Sequence, residues 1–83
     1  MVDLNREVEP SVEAGEIIKD MFLYHPWDQD QIRRGEQVRD SLMNAVRIII
    51  SCVPPSPDRT VAIRKLREAR MDCNSAITHG GKY

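Results

Sequence analysis

Residues 38–76 read VRDSLMNAVRIIISCVPPSPDRTVAIRKLREARMDCNSA, and this stretch decides the fold. Its apolar positions Val38, Leu42, Ala45, Ile49 and Cys52 step by 4, 3, 4 and 3 residues. That spacing draws one narrow seam along a helix. Ala62, Leu66, Ala69, Cys73 and Ala76 repeat the same steps. Between the two seams, Pro54-Pro55 stops the first helix, and Ser56-Pro57 supplies an N-cap residue with proline at the first helical position, where its missing N–H is not needed. A connection of about three or four residues between helices of about 25 and 22 residues forces them side by side and antiparallel. The predicted fold class is all-α, with helices over 28–53 and 57–78 forming an αα-hairpin.

Upstream, Asp28 opens the first long helix, with Gln31 three residues on, where a capping box places Glu or Gln. Val12, Ile17, Ile18, Met21 and Phe22 recur at helical spacing after Pro10-Ser11. They predict a short helix over 11–23, weakened by Gly15 by about 1 kcal/mol relative to Ala. It ends at Tyr24-His25-Pro26, because the residue before a proline is pushed out of helical conformation. Gly80-Gly81 closes the last helix, since glycine accepts the left-handed cap conformation. The first seven residues lack periodicity and are expected to fray. The 83 residues make one small domain.

Composition excludes several classes. The longest apolar run is Ile48-Ile49-Ile50, far short of the roughly 18 residues of a membrane span. Met1 to Glu7 has neither the basic start nor the apolar stretch of a secretory signal. Cys52 and Cys73 are too few for a disulfide framework or a four-ligand zinc site, and read as buried thiols in a reducing compartment. No glycine-rich phosphate loop, His-Glu-x-x-His run or nucleophile elbow occurs. Glu68 and Asp72 form an i,i+4 pair on a solvent face with no partner, and His79 reads as a helix-end cation favoured by the dipole. The expectation is no catalytic residue, no metal site and no cofactor.

The apolar surface exceeds what the hairpin covers. Val46, Ile48, Ile50 and Val53 widen the apolar face of the first long helix, and Ile63 and Ile77 that of the second. Surface of that extent marks an interface, and a homo-oligomer is the economical way to complete so small a core.

Charge and aromatic placement suggest what such an assembly binds. Residues 1–31 hold eight acids against Arg6 and Lys19, a net −6, whereas residues 32–83 are net +5. A basic body suits small anions, and the acidic part repels long duplexes. Three of the four aromatic residues, Phe22, Tyr24 and Trp27, fall within six positions, with His25 between them. Trp27 reads as a wedge between helices and His25 as a junction hydrogen bonder, with Phe22 the better core candidate. Tyr24 either wedges or stacks on a base, worth roughly 1–3 kcal/mol. Arg39 edges the first seam, and Arg59, Ile63, Arg70, Asn74 and Ile77 share a flank of the second. Arg39 and Arg70 have the chemistry for bidentate phosphate recognition. Arg64, Lys65 and Arg67 read as a solvated face.

Phe22-Leu23-Tyr24-His25-Pro26, Gln37-Val38-Arg39, the Pro-Ser-Pro break and the segment from Leu66 to Ile77 together resemble the small phage sponge proteins that disarm the CBASS and Thoeris bacterial immune systems. The resemblance covers about residues 20–78. It implies a homo-hexamer in the host bacterial cytoplasm that sequesters cyclic dinucleotides, cyclic trinucleotides or cyclic ADP-ribose isomers between protomers without cleaving them. Tyr24 matches the base-stacking position and Arg39 the phosphate-binding one, with His25 beside them. Arg70 and Asn74 match a segment that lines a second type of pocket in some members. The alternative function is a helical interaction module that inhibits a host protein through an Ile48/Ile50/Ile63 surface. Neither membrane nor duplex nucleic acid is an expected partner.

Overall fold

In a computed structural model the described residues, 11–83, form three helices in the order α1 (Val12–Phe22), α2 (Gln29–Cys52) and α3 (Pro57–His79), with no strand among them. The expected start signal at Pro10 and the expected fraying of residues 1–7 lie outside the described residues. Each helix begins at the anticipated cap. The Ser11 hydroxyl accepts the Ala14 N–H at 3.1 Å. The Asp28 carboxylate accepts the Gln31 N–H at 2.8 Å while Gln31 Oε1 accepts the Asp28 N–H at 3.0 Å, closing a capping box. The Ser56 hydroxyl accepts the Arg59 N–H at 3.1 Å, with Pro57 in the first turn. At the far end of α3, Gly80 takes φ 62°, and the Gly81 N–H reaches the Ala76 carbonyl at 3.0 Å, a left-handed cap that satisfies a free carbonyl.

α2 and α3 pack together. The first turn of α2 is tied to the last turn of α3 by Gln31 Nε2, which donates to the Ile77 carbonyl at 3.0 Å. At the other end Arg59 of α3 donates to the carbonyls of Ile50 (3.5 Å) and Val53 (3.2 Å). α2 carries no basic residue in its own last turn, so Arg59 supplies from its neighbour the cation that a helix C-terminus favours.

Trp27 joins the α1–α2 linker to both long helices. Its indole Nε1–H donates to Thr78 Oγ1 at 2.7 Å, and its six-membered ring lies in the space that a Cβ on residue 35 would need. Gly35 is the one fully buried residue among those described. The wedge expected of Trp27 is therefore seated on a glycine.

Among the described residues no hydrophobic side chain is fully buried. The seam residues Val38, Leu42, Ala45, Ile49, Ala62, Leu66, Ala69 and Cys73 are half-buried, and the seam's ends, Cys52 and Ala76, are exposed. The molecule measures 51 × 39 × 16 Å. α2 and α3 are the two helices that pack closely, and a pair of helices leaves each other's outer faces uncovered. Two expectations are corrected by this exposure. Neither cysteine is buried, since Cys52 is exposed and Cys73 half-buried. Phe22 is 79% exposed and is no core residue, because α1 has nothing across from that face. No helix is long and apolar enough to cross a membrane among the described residues.

Candidate functional site

The five residues singled out by sequence fall on two separate surfaces. Arg39 and Arg70 line one groove together, with Arg47 and Arg67 on its walls and Leu42, Met43, Val46 and Leu66 as its floor. The groove encloses about 310 Å³ between α2 and α3. Its geometry follows from the helical repeat. Arg39, Met43 and Arg47 step by four residues along one side of α2, with Val46 three after Met43, and on α3 Leu66 and Arg67 lie four and three residues before Arg70. Asn74 lies one turn beyond Arg70, sharing a smaller hollow with Arg67, Arg70 and Met71.

Four guanidinium groups edge an apolar floor with no acidic residue in the lining. Arg39 contacts its neighbour Asp40 at 3.1 Å. Arg47, Arg67 and Arg70 have no carboxylate partner among the described residues. Such an arrangement suits an anion carrying flat apolar groups, with guanidinium forks for the charge and the floor for a ring. The sequence reading places Arg67 on a solvated face and does not single out Arg47. The helical repeat carries a signal for both: Arg47 lies eight residues, about two turns, after Arg39, and Arg67 lies one turn before Arg70.

Tyr24 and His25 occupy the second surface. An open cleft of about 610 Å³ is lined by Met21, Leu23, Tyr24, His25, Pro26, Trp27, Ile32, Ser75, Thr78 and His79. Tyr24 is 87% exposed, the most exposed large hydrophobic side chain described. Within one chain it does not line the arginine groove.

His25 is a junction residue. Its Nε2–H donates to the Asp20 carbonyl at 2.6 Å, and its ring meets that of His79 edge-to-face at 5.2 Å. His79, read as a simple helix-end cation, in turn meets Tyr83 at 5.1 Å. Asp20 closes the cluster. Its Oδ2 accepts from Tyr83 OH at 2.6 Å and from Lys82 Nζ at 2.9 Å. The Tyr83 hydroxyl first, and the Lys82 ammonium second, hold its carboxyl down at about 2 against an ordinary 3.8. The same contacts raise Lys82 and Tyr83. This group had no sequence signal, because its two halves, Asp20 with His25 and His79 with Lys82 and Tyr83, lie more than 50 positions apart.

A comparison of the chain with protein-family models, curated proteins and solved structures finds no match.

Proposed function

We propose that this protein is a non-catalytic sponge that binds and sequesters cyclic nucleotide immune signals in a bacterial host cytoplasm, as the similarity to the phage anti-CBASS and anti-Thoeris proteins implies. The observation that carries the reading is the groove in which Arg39, Arg47, Arg67 and Arg70 surround an apolar floor. Arg39 and Arg70 bind phosphates there, and Asn74 reads a base or sugar edge. Tyr24 stacks on a base.

Because Tyr24 and the arginines occupy separate surfaces of one chain, a site containing both draws on two copies. The protomer in this reading is an antiparallel αα-hairpin with a short N-terminal helix, completed by homo-oligomerisation, with a hexamer as the assembly the resemblance implies. The exposure of Ile48 (53%) and Ile50 (54%) supports assembly, since exposed apolar surface marks an interface. The same exposed isoleucines favour the second reading, a helical module that inhibits a host protein by direct contact.

Isothermal titration against a 3′,3′ cyclic dinucleotide, a cyclic trinucleotide and a cyclic ADP-ribose isomer separates the readings. Ligand is then recovered from denatured protein and checked for intactness. Tight binding with intact ligand is expected. Absence of binding to all three removes the sponge and leaves the interaction module, and cleaved ligand makes the protein an enzyme.

A further inference from the structure

The geometry points to a divalent transition-metal site formed by Asp20, His25 and His79. The three residues come from the last turn of α1, the α1–α2 linker and the last residue of α3, and a ligating atom from each lies within 4.8 Å of the others. Two imidazoles and one carboxylate make a donor set suited to Zn²⁺, Ni²⁺ or Co²⁺. Tetrahedral zinc, with bonds of about 2.0–2.2 Å, needs its ligands roughly 3.4 Å apart. His25 Nε2 is already 3.8 Å from Asp20 Oδ1, and to ligate an ion it gives up its hydrogen bond to the Asp20 carbonyl and the proton it donates there.

The surroundings are arranged for such a role. Tyr83 and Lys82 both bond Oδ2 of Asp20, which leaves Oδ1 turned towards His25. Hydrogen bonds of this outer kind orient a ligating carboxylate. All three candidate ligands are half-buried, and both histidines open onto the cleft beside Trp27. Three protein ligands leave a further position for water or an incoming donor. The structural consequence is a clip. α1 has no buried residue, and a bound ion fastens its end to that of α3, the kind of staple small scaffolds use. The donor set uses neither Tyr24, which lines the same cleft, nor the arginine groove.

The test is Zn²⁺ titration of the intact chain by calorimetry, with Co²⁺ followed by visible absorption and by quenching of Trp27, the single tryptophan. One ion per chain is expected, with quenching, because Trp27 lines the same cleft as both histidines. His25→Gln and His79→Gln should each weaken binding by at least about tenfold, the lower bound for disturbing even an outer-shell partner. The double variant Cys52→Ser/Cys73→Ser should bind as the parent does. Circular dichroism confirms that each variant keeps its helix content, and any that loses helix is replaced by Asp20→Asn. Absence of saturable binding overturns the site. So does binding that survives the histidine changes or is lost with the cysteines.

Discussion

Gln31 joins two helix ends with one amide group. Its Oε1 accepts the Asp28 N–H at the start of α2, and its Nε2 donates to the Ile77 carbonyl in the last turn of α3. A glutamate at this position would keep the capping box but would have no proton for Ile77. Gln31→Glu should therefore destabilise the protein by roughly 1–2 kcal/mol, the value of a hydrogen bond exchanged for an unpaired acceptor. Urea denaturation at neutral pH checks this, and an unchanged midpoint would show that the Ile77 contact contributes nothing.

Two glycines should respond in opposite directions to the same substitution. A Cβ at Gly15 meets nothing within 4 Å, so Gly15→Ala should strengthen α1 by about 1 kcal/mol of helix propensity and raise the helical signal. At Gly35 the new methyl would overlap the Trp27 ring. The indole must move and stretch its 2.7 Å bond to Thr78. Overpacking costs about 1–3 kcal/mol, which offsets or exceeds the propensity gain. Thermal unfolding together with Trp27 emission reads both effects, and an unshifted emission in Gly35→Ala would contradict the packing described.

The Asp20 carboxyl gives a pH signature with a definite sign. Its folded pKa, about 2, lies below the ordinary 3.8 because of Tyr83 and then Lys82. A depressed carboxyl stabilises the folded form above its unfolded pKa, and that contribution fades as pH falls from near 3.8 through about 2. Carboxyl carbon shifts followed by NMR should place the midpoint near 2. In Tyr83→Phe the midpoint should move up towards 3.8, since the largest cause is removed. A midpoint that does not move would mean the hydroxyl contact is absent in solution.

For ligand binding, Arg39→Ala and Arg70→Ala should each weaken the preferred cyclic nucleotide by roughly ten- to a hundredfold, as loss of a charged hydrogen bond does. Tyr24→Ala should fall in a similar range through lost stacking, about 1–3 kcal/mol. Calorimetry on the three variants decides it. Full affinity in both Tyr24→Ala and Arg39→Ala would show the site assignment to be wrong.

Ile50→Glu probes the exposed apolar surface of α2. In an assembly that buries Ile50, a buried unpaired carboxylate is strongly unfavourable, and sedimentation velocity should show the variant as smaller particles than the parent. A parent that already sediments as a monomer would remove homo-oligomerisation from the account.

What the sequence by itself determined is local. Ser11, Asp28 with Gln31, Ser56-Pro57 and Gly80 sit within a few residues of the backbone groups they satisfy, so the helix ends are legible to within about one residue. The 4, 3, 4, 3 spacing likewise places Val38, Leu42, Leu66 and Ala69 among the half-buried residues. Arg39 and Arg70 could be chosen by type and register, and the fold puts them in one groove. Only the tertiary structure decided that Trp27 rests on Gly35 and bonds Thr78, that Asp20 meets Lys82 and Tyr83, and that His25 meets His79. Apart from the Gly35 contact, these pairs are separated by 51 to 63 positions. Their meeting depends on how α2 and α3 align, and no periodicity or cap within either helix encodes that. The exposure of Cys52 and Phe22 has the same origin: hydrophobicity states what a side chain prefers to bury, but α2 and α3 packed on each other leave their outer faces, and most of α1, with nothing to bury them against.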